Sequence, residues 1–392
     1  MKSAKGGIIS YLVTVIVSVA LLWAGHLWAG YDPSANPNLT VDEEYLKAEI
    51  TEIVSVDISE YSYGSGQTDI VFNCVVLSGP RKGETITASQ SVSDLGAFRI
   101  KTVEKGDRIV LVNGAFQGSA ASADTWFFAE YARSDAVFAL LGVFALLLIL
   151  FGGRKGVSTL ISLACTCLAV IMVLVPSILA GKDIYLATAL TCAYMVIMTL
   201  VIVNGYSAKT LCAILGCLGG IAVSALICFV MQKIIRLSGY LEEQDYFLVL
   251  LNPDIDLKAI VYSSILIGAV GAVMDVAVDI SSSLAEISRK IGYVPFSDMF
   301  TSGIRIGRDI MGTMSNTLVL AYIGSSLCGV LLICSYKTSL LNIFNAESIV
   351  AELLQGIVGS MGILFAIPVT AAVCSLVYNR KKAAKNTEWF MN

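Results

Sequence analysis

The sequence predicts an α-helical multi-pass membrane protein of about eight transmembrane helices, carrying one small extracytoplasmic all-β, OB-like domain. Three observations predict it. The 392 residues are 56% hydrophobic and only 14% charged, with a mean hydropathy of +0.77, outside the range of soluble domains. Apolar runs of about 20 residues, the length that crosses a ~30 Å hydrocarbon core, recur along the chain. A single polar stretch of about a hundred residues interrupts them and carries strand patterns instead.

The first run, 8–29, follows Lys2 and Lys5 and reads as an N-terminal transmembrane anchor, residues 1–30. A cleaved signal peptide would share its basic flank and short apolar core. Against cleavage, the zone Gly25-His26-Leu27-Trp28-Ala29 sets bulky residues where small ones are needed. His26, the sole histidine, sits between Trp23 and Trp28 and reads as part of an interfacial aromatic belt rather than as a ligand.

Residues 31–133 read as the extracytoplasmic β-rich domain. Segments near 47–57, 68–77, 84–91, 107–113 and 125–131 are rich in Ile, Val, Thr, Phe and Tyr with partial alternation. Ser78-Gly79-Pro80-Arg81-Lys82-Gly83 is a turn between the second and third. Five short strands suit an OB-like barrel. Such barrels often bind nucleic acid, but this stretch holds fifteen acidic and eight basic side chains, a net −7 that repels phosphate. No nucleic acid is expected; a protein partner, a cation or self-association is. Cys74 is the domain's only cysteine, which excludes an internal disulfide.

Residues 134–380 carry seven more runs, at 135–152, 157–180, 184–204, 211–235, 259–280, 310–335 and 350–378, and 381–392 follow as a tail. Lysine and arginine set the orientation. With the N-terminus inside, the inner segments hold thirteen (Lys2, Lys5, Arg154, Lys155, Lys209, Arg289, Lys290, Arg305, Arg308, Arg380, Lys381, Lys382, Lys385) and the short outer loops five (Lys182, Lys233, Arg236, Lys258, Lys337). An even number of spans returns the tail to the same side, so both termini are expected on the cytoplasmic side of the membrane that supplies the lipid.

Nine of the ten cysteines fall in or beside apolar runs and read as small packing residues. Cys165-Thr166-Cys167 has no histidine or further thiol for a metal site, so neither metal nor cofactor is expected. Gly216, Gly219 and Gly220, with Gly356, Gly359 and Gly362, place small residues for close helix crossings. Pro176 and Pro368 mark kinks. Leu241–Leu251 and 338–349 read as interfacial helices on the outer side, the latter started by Asn345 with Glu347 in its first turn.

The chemistry concentrates in the sixth run, which carries Asp275 and Asp279. A carboxylate in hydrocarbon survives mainly where something is bound or moved. Asp275, Asp279, Ser282 and Glu286 are spaced i, i+4, i+7 and i+11, so they stack on one helix face, which Ser264, Gly268 and Gly271 extend outward. The next run repeats the pattern with Arg308 or Asp309, then Gly312 or Thr313, then Asn316. Antiparallel neighbours of this kind would set Asp275 near Ser315 and Asn316, and Asp279 near Arg305 or Arg308. Asp275, Asp279, Ser282, Ser315 and Asn316 are therefore the expected cation, proton or substrate site, with Glu286, Arg305, Arg308 and Asp309 as gating or charge-pairing groups. The plainer alternatives are solvated interfacial carboxylates, an Asp–Arg clamp between two helices, and interhelical hydrogen bonds worth ~0.6–2 kcal/mol each.

Several motifs in order carry a resemblance: Leu77-Ser-Gly-Pro-Arg-Lys-Gly83, Lys105-Gly-Asp-Arg108, Tyr131-Ala-Arg-Ser134, Gly152-Gly-Arg-Lys-Gly156, the aspartate helix, and Gly307-Arg-Asp-Ile-Met-Gly-Thr-Met-Ser-Asn-Thr317. Together they resemble the YibE/F-like family of bacterial multi-pass membrane proteins, over nearly the whole chain. The resemblance implies a membrane protein of undetermined activity, in a family often supposed to transport. Three function classes follow. A secondary transporter or permease fits the polar stripe, and with no nucleotide-binding loop it would run on an ion gradient or an ATPase partner. A scaffold or accessory subunit would use the outer domain to recruit a partner. An intramembrane enzyme is disfavoured, because no second helix offers aspartate at matching depth and neither HExxH nor a Ser–His pair is present.

Overall fold

In the computed structural model, which describes residues 2–31, 44–60, 66–94, 101–113, 125–241, 243–335 and 339–389, the polar stretch folds into five strands. They are β1 (Tyr45–Glu60), β2 (Gly66–Val76), β3 (Thr85–Asp94), β4 (Arg108–Asn113) and β5 (Trp126–Tyr131). They close into a barrel in the order β1-β2-β3-β5-β4. All pairings are antiparallel except that of β3 with β5. Period-two alternation turns Leu46, Ala48 and Ile50 inward from β1 and Ile70, Phe72, Cys74 and Val76 from β2, against Ile109, Leu111 and Trp126. Gly79 and Gly83 take φ of +87° and +90° in the β2–β3 turn, a left-handed backbone that favours glycine. The Cys74 thiol lies inside the barrel, where burial pushes its pKa up to about 11. β1 outruns its neighbour: it pairs with β4 only over Tyr45–Glu49 but with β2 as far as Glu60. Along that extension Val54, Val56 and Ile58 are exposed.

The barrel belongs to one compact unit, residues 32–147, and residues 1–31 with 148–392 form the other. The helices are α1 (Lys2–Ala29), α2 (Ser134–Gly152), α3 (Arg154–Ala169), α4 (Val175–Leu179), α5 (Ile184–Asn204), α6 (Ala208–Ile235), α7 (Glu243–Leu251), α8 (Leu257–Ile291), α9 (Phe296–Ser325), α10 (Leu327–Ser335), α11 (Leu340–Ile343) and α12 (Glu347–Trp389). Among the described residues seven helical stretches are long and apolar enough to cross a membrane: Ser10–Ala29, Ser134–Gly152, Arg154–Leu179, Ile184–Asn204, Ala208–Ile235, Leu257–Ile291 and Glu347–Asn379. The expected eighth, 310–335, is not one helix. Its helix begins earlier, at Phe296, and a break at Ser326 separates α9 from α10. Arg305, Arg308, Asp309 and Asn316 on one side of α9 are what keep it from reading as a plain span. The Leu241–Leu251 element is helical as α7, and Glu347 does stand in the first turn of α12. Lys337 and the last three residues of the tail lie outside the described residues.

Small residues draw the helices together. A Cβ on Gly216 would meet the Thr370 side chain, one on Gly220 would lie 2.8 Å from Ala366 Cβ and 2.9 Å from the Gly362 carbonyl, and one on Gly362 would meet Ser224. The α6–α12 crossing is thus a glycine seam, as the spacing indicates. At the end where α12 begins, the Glu347 carboxylate accepts from the backbone N–H groups of Ser238 and Gly239 and from the Ser238 hydroxyl. That carboxylate ties the start of α12 to the loop after α6.

Between α3 and α4, residues Val170–Leu174 form one wider, π-helical turn before Pro176. Proline has no N–H, so in an α-helix the carbonyl four residues earlier loses its usual donor; here that carbonyl is Met172. His26 of α1 lies with Nδ1 3.0 Å from it, and because a carbonyl only accepts, Nδ1 carries the proton. The Ser177 hydroxyl donates to the next carbonyl, Val173, at 2.6 Å. His26, expected in an aromatic belt, thus also makes a specific contact: it donates to a proline-opened turn in another helix. His26→Ala is expected to cost about 1–3 kcal/mol by leaving a carbonyl unsatisfied in an apolar setting. Thermal unfolding in detergent reads this out, and an unchanged midpoint would show that Met172 is satisfied without the ring.

Candidate functional site

The aspartate helix α8 is fixed at both ends. Its start is capped by Asp256, which accepts from the N–H groups of Lys258 and Ala259 at 3.0 and 3.4 Å. Its last turn carries Arg289 and Lys290 at the negative end of the helix dipole, and Gly292 (φ +84°) ends it. After a short link α9 returns alongside. Two contacts give the register: a Cβ on Gly303 would lie 3.1 Å from Leu284, and one on Gly268 would meet the Tyr322 hydroxyl. The helices are therefore antiparallel, as expected.

That register sets levels. Asp279 is five residues before Leu284 and Arg308 five after Gly303, so the two share a level along the hairpin. Asp275, nine residues before Leu284, is level with Gly312 by the same count, and with Ser315 counting seven residues from the Gly268–Tyr322 contact. Asn316 lies about one turn farther, near the level of Gly271.

Depth and facing differ, however. The face of α8 turned into the helical body is apolar, with Val273, Val276, Ala277, Ile280 and Leu284 buried. The stripe of Ser264, Gly271, Asp275 and Asp279 is exposed on the other side, with Ser282 and Glu286 half-buried. α9 likewise buries Met299, Gly303 and Gly307. It leaves Arg305, Arg308, Asp309 and Asn316 exposed and Ser315 half-buried. Among the described residues no ion pair joins Asp275 or Asp279 to Arg305 or Arg308. Glu286 instead pairs within its own helix, 2.8 Å from Arg289 and 3.5 Å from Lys290.

A family model described as YibE/F-like protein matches residues 140–380, well over half of the chain. The chain belongs to the YibE/F-like family. The match spans α8, α9 and α12, so the polar stripe is part of the family's helical region, whereas the barrel lies outside it. Neither a curated protein nor a solved structure matches the chain.

Sequence reasoning passed over one carboxylate. Glu352, inside the apolar run of α12, has a buried Oε2 with no hydrogen-bond partner. Close by, the Tyr322 hydroxyl and the Gln355 side chain both crowd Gly268, a member of the α8 stripe. Polar groups thus continue from Asp279 and Asp275 past Gly271 and Gly268 to Tyr322 and Gln355, and on to Glu352. The signal was a lone glutamate within a predicted span; its place near the end of the run hid it. A separate cavity of roughly 200 Å³ lies where α5 and α8 begin. Its Asp183 and Asp256 carboxylates are both committed to capping those helices. Among the described residues no group of three or more His, Cys, Asp or Glu side chains is set to hold a metal ion.

Proposed function

We propose that this YibE/F-like protein is a secondary transporter or permease of a bacterial plasma membrane, in which Asp275 and Asp279 carry a cation, a proton or the polar group of a substrate. The observation behind it is a pair of carboxylates one turn apart, deep in an apolar helix and without a counter-charge from the neighbouring Arg305 and Arg308. Unpaired charge at that depth has a function far more often than a structural use. Glu352, Tyr322 and Gln355 extend the same polar line and would relay the cargo toward the other end of α8. Ser282, Ser315 and Asn316 supply neutral oxygens along it, and Arg305, Arg308 and Asp309 tune the mouth. The thirteen-to-five distribution of basic residues supports both termini inside and the barrel, OB-like in its strand order, outside.

Purified protein in proteoliposomes is expected to dissipate an imposed proton or sodium gradient faster than empty vesicles do. Equal rates with both gradients would remove the transporter reading. A second reading, recruitment of a protein partner by the outer domain, is supported by exposed Val54, Val56 and Ile58 on the β1–β2 ribbon. Cross-linking from that ribbon in intact membranes, set against the flux result, separates the two.

A further inference from the structure

The polar rows of α8 and α9 pose a problem that transport alone does not solve. Asp275 and Asp279 are exposed on one helix and Arg305, Arg308 and Asn316 on the other, at levels alongside apolar spans, where lipid is a poor neighbour for any of them. Protein covering that face would take them out of contact with lipid. Its charges indicate which protein. The face carries an acidic row on α8 and a mixed row on α9, where Arg305 and Arg308 stand with Asp309, and among the described residues no ion pair within the chain joins the two rows.

A two-fold axis along the membrane normal keeps every residue at its own depth, and it brings the same patch of both copies together. Such an axis joins acid to base only if the two already share a level, and Asp279 and Arg308 do. Gly271 and Gly312 point the same way. They lie on the exposed sides of α8 and α9, and among the described residues nothing beyond their own stretch of helix comes within 4 Å of where their Cβ atoms would be. Open glycines on a membrane-embedded helix face are what close approach of another helix requires.

We propose that a second copy of this chain covers the α8–α9 face as an isologous dimer, with Asp279 of each copy paired to the partner subunit's Arg308 and Asp275 facing the partner subunit's Gly312. The dimer closes the polar stripe between the copies. It gives Asp279 a structural counter-charge and leaves Asp275 as the unpaired carboxylate of the stripe, so it stands whether or not the stripe carries an ion.

The test is charge reversal in trans. In detergent or nanodiscs the wild-type protein is expected at twice the 41.7 kDa chain mass by native mass measurement. Asp279→Arg alone opposes arginine to arginine, and Arg308→Asp alone opposes carboxylate to carboxylate, so each is expected to fall to the single-chain mass. Co-expressed with different tags, the two variants place opposite charges at both contacts, and the pair should co-purify at twice the chain mass. An ion pair within one chain predicts no such rescue. A wild-type protein of single-chain mass, single variants that stay paired, or failure of the mixture to pair would each overturn the proposal. Should the reversed variants not fold, Asp279→Cys on one tagged copy and Arg308→Cys on the other decide the matter in native membranes. A disulfide-linked pair above the level given by untouched native cysteines supports the dimer, and its absence rejects it.

Discussion

Asp275→Asn is expected to abolish ion flux while leaving the amount of folded protein unchanged. Asparagine keeps the shape of aspartate, and its carbonyl still accepts a hydrogen bond, but it holds neither charge nor exchangeable acid proton. Asp275 has no ion-pair partner among the described residues, so the change strands nothing. A carboxylate at the centre of a span costs about 2.5–3.5 kcal/mol on insertion scales. Neutralising it should therefore leave the unfolding temperature the same or raise it. The two halves of this result separate function from structure. A purely structural acceptor predicts full flux, because asparagine serves as well. A cargo-binding carboxylate predicts flux at the level of empty vesicles in a protein that melts no earlier than wild type. Full retention of flux, normalised to folded protein, would end the ion-site proposal.

Gly220→Val is expected to remove folded protein from the membrane. A Cβ at this position would lie 2.8 Å from Ala366 Cβ, 2.9 Å from the Gly362 carbonyl oxygen and 2.9 Å from Val273. Two of the three are backbone or next to it, so no rotamer change relieves them, and valine adds two further methyl groups. Overpacking costs about 1–3 kcal/mol and occasionally more. α6, α8 and α12 would all have to move apart at once. Set against a typical net stability of ~5–15 kcal/mol, that is enough to show as a large drop in monodisperse protein after solubilisation. Gly142→Val on α2, where nothing lies within 4 Å of the added Cβ, is the control expected to behave as wild type. Equal yields from both would show that the seam is looser than these distances.

Much of this was legible in the sequence wherever the signal is local. The five strands fall within three residues of where alternation and the Ser78–Gly83 turn place them, because a half-buried strand writes its period directly into the chain. The glycine spacing of 216–220 and 356–362 similarly announced a close crossing, since only small residues allow one. The polar stripe on α8 was visible as a spacing too. Its facing was not: which side of a helix meets protein depends on neighbours drawn from elsewhere in the chain, so the expected meeting of Asp279 with Arg308 became a shared level without a contact. The break at Ser326 escaped for a different reason. Apolar residues continue on both sides of it, and hydropathy does not register where one helix stops and the next begins. The His26 contact was not foreseen because its partner, Met172, is 146 residues away and is a backbone carbonyl, a group that every residue possesses and that no sequence pattern marks.

The unequal lengths of β1 and β4 have a geometric result. Beyond Glu49 the first strand has lost β4 and continues on β2 to Glu60. At about 3.3 Å per residue, shortened by two irregularities in the pairing, this adds on the order of 30 Å of ribbon. The barrel thus has reach: a macromolecule gripping Ile58 would be held several nanometres from the Tyr45 end of the same strand, and a tug at that tip would act on the barrel as on the short end of a lever.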